Sequence, residues 1–213
     1  MKKSGDIWLP DEDSYFSKFF EDGTGFQLDR LEGALEHITD WGVAVDGGAH
    51  VGSWSIVMAE MFGAVHAFEP ASDTYECLQA NTVGRINIHL YNKALGDRET
   101  MVNSMDDMSR LGNTGSRFVA INEAGSVEMT TIDGLNLAEL GFLKLDLEGA
   151  EILALRGAER TLLRCRPVVY VEAKKGMAGR FGEADKASLE YMRKLGALQV
   201  AKFGSDYIFT FDK

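Results

Sequence analysis

No apolar run in this chain approaches the ~18 residues of a membrane-spanning helix, so no transmembrane segment is expected. The start, MKKSGDIWLPDEDSYF, has two lysines but no apolar stretch behind them, so no signal peptide is expected. Cysteine is scarce. Cys77 and Cys165 are the only two, both fall in helical patterns, and both read as buried thiols rather than a disulfide framework. A cytoplasmic location follows as the expectation. Basic runs are missing too, none being longer than a pair such as Lys2-Lys3 or Lys174-Lys175, and the net charge is −11. Nucleic-acid binders present a basic face to phosphates, so long nucleic acids and anionic membranes are not expected as partners. Repeats, low-complexity segments and linkers are also lacking. The 213 residues, 45% apolar and 26% charged, are expected to form one domain, with residues 1–42 as extension and helix and 43–213 as core.

The stretch VAVDGGAHVG, residues 43–52, organises the rest. Val43, Ala44 and Val45 suit a buried parallel strand, Asp46 closes the run, and a glycine-rich turn follows. Residues 53–62 read as a helix. Strand, bare turn and helix start make a nucleotide-binding corner, where glycines let backbone approach a ligand and free N–H groups face it. The turn reads D-x-G-x-H-x-G rather than G-x-G-x-x-G.

Around this corner, residues 1–26 are aromatic and acidic without a clean period, fitting either packing or a lid. Leu28, Leu31, Leu35 and Ile38 recur at helical spacing, ending near Trp41-Gly42, and predict a helix at the sheet edge. Strand 64–69, helix 72–81 and strand 86–91 alternate as in a parallel sheet with crossover helices. His66 and His89 lie within these strands and read as satisfied core or edge residues. Residues 101–103 and 126–131 suggest short strands, and 104–117 form a long polar loop. Order returns with strand 142–148, helix 150–164, strand 167–172, a glycine-rich loop 174–182 and helix 183–195. Residues 197–203 and 206–211, joined by Gly204-Ser205, read as a tight hairpin.

Ligands of open α/β sheets lie outside the carboxyl ends of the strands. Four predicted strands end there in acids: Asp46, Glu69, Asp146 with Glu148, and Glu172. Each alone could be a helix cap or a solvated charge; together they point to a shared ligand site. Glu69 lies 23 positions after Asp46, near the ~20-residue spacing that lets an acid bind both hydroxyls of a ribose. The turn would also allow an NAD enzyme, but an acid in its first position suits a cationic ligand such as S-adenosylmethionine better than a pyrophosphate.

Six stretches in order, VDGGAHVGSWS, AFEP, NKALGD, TIDGL, LKLDLEGAEILALRGAE and PVVYVEA, resemble the FkbM-type family of S-adenosylmethionine-dependent methyltransferases, from about Val43 to Ala173. LKLDLEGAE is the most specific piece. His50 stands where the family commonly has Asn. The resemblance implies a Rossmann-like class I methyltransferase fold: α/β, a seven-stranded mostly parallel sheet, helices on both faces, and an antiparallel C-terminal strand. It implies S-adenosylmethionine as cofactor and O-methylation of a small-molecule, sugar or glycan hydroxyl. By position, Asp46, Gly48, His50 and Gly52 would line the methionine side, Glu69 would hold the ribose, and Lys93 and Ala94 would lie near the adenine. Asp146, Glu148 and Glu172 would face the methyl and the acceptor. Acceptor specificity is expected outside residues 43–173.

Two arrangements would help remove the acceptor's proton: one carboxylate as general base, or several holding a divalent cation. A metal is compatible with the acids but is not assigned. A third reading leaves Asp146 on the cofactor's amino group, with Glu148 and Glu151 merely complementing a helix N-terminus. Competing functions are a ribose 2′-O-methyltransferase acting on RNA, with Lys144 or Lys174 beside Asp146, and a non-catalytic nucleotide-binding relative.

Overall fold

The computed structural model describes residues 1–21 and 26–212; part of the expected N-terminal lid or packing segment, residues 22–25, lies outside them. The chain opens with strands β1 (Lys2–Ser4) and β2 (Ile7–Leu9), then helices α1 (Ser17–Glu21) and α2 (Leu28–Leu35). β3 (Val43–Gly47), α3 (Ser53–Ala59), β4 (Ala64–Phe68), α4 (Ser72–Asn81) and β5 (Ile88–Tyr91) form the βαβαβ half. An insertion follows, with β6 (Lys93–Leu95), β7 (Thr100–Met105), β8 (Phe118–Ile121) and β9 (Val127–Thr130). β10 (Phe142–Leu145), α5 (Glu151–Arg156), α6 (Glu159–Cys165), β11 (Val168–Glu172), α7 (Ala187–Lys194), β12 (Ala197–Phe203) and β13 (Asp206–Phe211) complete it.

The main sheet has the order β12-β13-β11-β10-β3-β4-β5. The C-terminal β13 pairs antiparallel with both neighbours, while β11, β10, β3, β4 and β5 are mutually parallel. Both faces are covered, which the period-2 alternation along its strands records. Val45, Leu143, Leu145, Val169, Val171 and Phe209 face the side of α5, α6 and α7. Ala44, Phe142, Val168, Tyr170 and Ile208 face the side of α2 and α3. A strand hydrophobic on successive residues is what burial on both faces requires.

Four readings are corrected. The first helix stops at Leu35 and packs across the face of β11 and β12, burying Leu31 and Ala34. The single helix expected over 150–164 is two. It breaks at Gly157 because Asp133 caps a fresh N-terminus: it accepts the Arg160 and Thr161 N–H groups at 3.1 and 2.8 Å. The insertion, read as two strands and a loop, is a second sheet, β6-β9-β7-β8. Cys165 is only half-buried, although both cysteines are free thiols and Cys77 is buried. His66 meets its register partner His89 ring to ring, and its Nδ1 lies 2.9 Å from the Tyr91 hydroxyl. Among the described residues no helix is long and apolar enough to cross a membrane.

Candidate functional site

At the carboxyl end of β3 the turn is built for close approach. Gly48 has φ +74°, and a Cβ there would fall 2.0 Å from the Asp146 carbonyl oxygen; only glycine fits. The N–H groups of Gly48 and Ala49 both donate to the Phe68 carbonyl, at 3.0 and 2.9 Å, tying the turn to β4. Asp46 is fully buried beneath the turn. It accepts the Ser55 hydroxyl at 2.6 Å and pairs with the Lys144 ammonium at 2.9 Å. Lys144 also donates to the Gly48 carbonyl at 2.6 Å, so one buried cation fixes both the acid and the turn. Burial works against that ammonium, but Asp46 and Asp146 outweigh it and hold its pKa above the ordinary lysine value.

Above the turn lies a cleft of about 710 Å³ including its open mouth, walled by Gly48, His50, Glu69, Lys144 and Asp146. Glu69 is nearly buried. Its two oxygens accept the N–H groups of His50 and Ala71 and the Thr74 hydroxyl, each at 2.9 Å. Burial raises its pKa despite those bonds. An adjoining apolar crevice, between Phe68, Ala94, Leu95, Val119 and Ala150, shares Gly48, Pro70 and Leu147 with the cleft. Lys93 lies at its rim, paired with Glu128 at 2.6 Å.

The N-terminal segment roofs the cleft, so it both packs and covers. Phe16 lies against the His50 ring, centroids 4.4 Å apart. Asp13, fully buried, accepts the Thr114 hydroxyl at 2.7 Å, and Thr114 Oγ1 lies 2.8 Å from His50 Nε2. The threonine's one proton goes to Asp13, so Nε2–H donates to Thr114 and Nδ1 is left as acceptor. Arg117 fastens the same roof with three carboxylates: Glu12 at 2.9 Å, Asp106 at 2.7 Å, and Asp73.

Burial lowers the His50 pKa to about 4, so the ring is neutral at neutral pH. Its unfolded value is near 6.5, so the stability it contributes is present above pH ~6.5 and lost as pH falls toward ~4, by up to about 3 kcal/mol. His50→Asn should remove that part of the acid slope; urea titrations of both proteins between those pH values measure it.

On the far side of Asp146 the oxygens of Asp146, Glu148 and Glu172 lie within 4.8 Å of one another. Glu148 and Glu172 are buried, and Glu148 has a left-handed φ of +51°. Lys174 Nζ lies 2.7 Å from both. Burial opposes ionisation of Asp146, but Lys174 and Lys144 outweigh it and hold its pKa below the carboxylate range. Burial and the Asp146 charge push Glu172 well above that range. The two neighbouring acids are thus pushed in opposite directions, Asp146 toward the charged form and Glu172 toward the neutral one. Glu151 accepts the N–H groups of Leu147 and Gly149, at 2.8 and 3.1 Å, and closes the turn into α5; Glu148 makes no such cap.

Of the residues singled out from the sequence, Gly48, His50, Glu69 and Asp146 share the cleft, while Lys93 and Ala94 share the crevice beside it. Asp46 and Gly52 stand behind the turn. Glu148 and Glu172 flank Asp146 without lining the cleft. Asp13 and Phe16 lie in the segment read as packing or a lid, and Thr114 and Arg117 in the polar loop expected at the acceptor mouth; their individual contacts were not legible, since they span 64 positions (Thr114 to His50) and 101 (Thr114 to Asp13).

The sequence signature of the Methyltransferase FkbM domain matches residues 46–198. The structure resembles the methyltransferase FkbM of Methylobacillus flagellatus KT, at 17% identity and TM-score 0.50, over 80% of this chain and 43% of that one. This chain thus spans about two fifths of that protein's length. It also resembles a putative methyltransferase of Streptococcus mutans in complex with SAH, at 10% identity and TM-score 0.51, over 87% of this chain and 98% of that one. An rRNA methylase of Streptococcus thermophilus aligns at 13% identity and TM-score 0.52, over 85% and 92%. At these identities the likeness is one of fold. No curated protein sequence matches this chain. With the signature covering most of the chain and the strand order of the class I fold around a glycine-turn cleft, the chain belongs to the FkbM family of S-adenosylmethionine-dependent methyltransferases.

Proposed function

We propose that this chain methylates a hydroxyl oxygen of a small molecule or glycan, with Asp146 as the proton acceptor. The observation that carries the reading is Asp146 in the cleft wall, clustered with Glu148 and Glu172, with Lys174 and Lys144 favouring its charged form. A hydroxyl, unlike an amine, needs a base to become a competent nucleophile.

The cleft suits the cofactor. Gly48 leaves room where a Cβ would clash, the apolar crevice around Ala94 and Leu95 suits a flat base, and Glu69, its Oε1 filled by Ala71 and Thr74, keeps a lone pair on Oε2 for a ribose hydroxyl. S-adenosylmethionine supplies a methyl already activated on a sulfonium. The chain's residues must then hold the acceptor oxygen about 3 Å from it and take the proton. Lys144 and Lys174 are both committed to carboxylates, and with a net charge of −11 neither offers a phosphate track.

Glu69→Ala should weaken S-adenosylmethionine by ~1.5–3 kcal/mol, roughly 10- to 150-fold, the range for hydrogen bonds to a charged group. Calorimetric titration reads this directly, and an unchanged dissociation constant removes Glu69 from the cofactor site. Arg180 bridges the loops 104–117 and 174–182, donating to Asp107 at 2.9 Å and to the Glu148 carbonyl at 3.1 Å. Both loops should gain hydrogen-exchange protection when acceptor or product binds; protection confined to residues 46–97 would place the acceptor elsewhere.

The acceptor class is tested by incubation with labelled S-adenosylmethionine and a panel of glycans, nucleotide sugars, small phenols and RNA. Label in a glycan or small molecule supports the reading. Label in RNA alone overturns it.

A further inference from the structure

We propose that Lys174 is the resident cation of this site, its ammonium holding the place among three clustered carboxylates, two of them buried, that a divalent ion would otherwise take. Asp146, Glu148 and Glu172 converge at the ends of β10 and β11, and the Glu148 and Glu172 side chains are 4% and 3% exposed. So much acid in so little water demands a positive partner. The surrounding cations are otherwise engaged. Lys144 is spent on Asp46 and the Gly48 carbonyl, and Arg30 pairs with the nearby Asp206. Arg110 reaches only to 3.8 Å of Glu148, and Arg180 donates to the Glu148 carbonyl rather than its carboxylate. Among the described residues Lys174 alone bridges two of the acids, both at 2.7 Å.

The backbone holds this arrangement in place. Lys174 follows Glu172 by two positions, and its partly buried side chain brings the ammonium to both acids. Glu148 sits at φ +51° and Gly149 at φ +113°. A Cβ on Gly149 would fall 2.4 Å from the Met177 carbonyl oxygen, so the acidic turn lies directly on the loop that carries Lys174. A hard divalent ion binds carboxylate oxygens directly, and the ammonium already occupies one on each of Glu148 and Glu172. Lys174 is a positioning residue: it draws Glu148 and Glu172 aside and leaves Asp146 at the cleft. Given the O-methyltransferase reading, on which this consequence rests, the transfer is metal-independent.

The test is a Mn²⁺ titration of the full chain followed by electron paramagnetic resonance, which needs no acceptor and so fails or succeeds independently of the acceptor's identity. Lys174→Ala should take up one Mn²⁺ per chain at least about tenfold more tightly than wild type, and adding Glu148→Gln should reverse most of that gain. Lys174→Arg, which keeps the charge, should behave as wild type. Cofactor affinity should stay within about twofold in all of them, since Lys174 does not line the cleft. If Lys174→Ala does not fold alone, Lys174→Gln replaces it, and recovery of a cooperative thermal transition on adding Mn²⁺ is the supporting result. Wild type binding Mn²⁺ as tightly as the variants overturns the proposal, and so does the absence of Mn²⁺ uptake or recovery in every variant.

Discussion

Asp146→Asn should lower turnover by ~10²–10⁴-fold, the range of general-base catalysis, while cofactor affinity stays within about threefold. The asparagine keeps an oxygen and the shape of the side chain, so the local packing survives; what it cannot do is take a proton from the acceptor. Lys174 and Lys144 lower the Asp146 pKa, and on the proposed reading its place in the cleft wall sets it beside the acceptor oxygen. Glu148→Gln should cost far less, because one Glu148 oxygen is already given to Lys174 and the side chain does not line the cleft. Turnover should be indifferent to EDTA in all three proteins. Steady-state rates with calorimetric cofactor affinities decide between the alternatives. Equal losses in turnover and affinity would make Asp146 a cofactor ligand, and unchanged turnover in both variants would remove the carboxylates from the chemistry.

Lys144→Met should be the costliest single change to the fold. It leaves the Asp46 carboxylate fully buried with only Ser55 as partner, and it unties the Gly48 carbonyl. Breaking a buried ion pair by removing one member costs ~3–5 kcal/mol. For a chain of this length that is a fall in melting temperature of about 6–20 °C. Lys144→Met with Asp46→Asn should recover much of the loss, because no uncompensated charge remains. A double-mutant cycle by urea denaturation measures the coupling. If the double variant is no more stable than Lys144→Met alone, the pair is not what anchors the turn.

These two residues also mark how far the sequence could be read. The strands around the glycine turn were legible because each is a short apolar run closed by an acid, and the final hairpin because Gly204-Ser205 punctuates it. Glu69 and Asp146 could be placed at one edge from topology alone. Asp46 could not be oriented that way: its position in the turn suggested a ligand contact, whereas Lys144, 98 positions away, turns it into a buried structural pair. The insertion's small sheet escaped notice because strands as short as Lys93–Leu95 have too few residues to show a period. The break at Gly157 was invisible because its cause is Asp133, a capping group outside the helix. Of Lys174 the sequence showed only that it lay near Asp146; that it sits between two carboxylates is set by the left-handed turn at Glu148 and Gly149.

The most direct measurement is the identity of the methylated atom. Product formed with ¹³C-methyl S-adenosylmethionine and wild-type protein is examined by carbon–proton correlation NMR. Asp146 as base predicts a methoxy carbon on a hydroxyl of the acceptor, with its yield collapsing in Asp146→Asn. A methyl on nitrogen or carbon, or a methoxy product undiminished in Asp146→Asn, would contradict it.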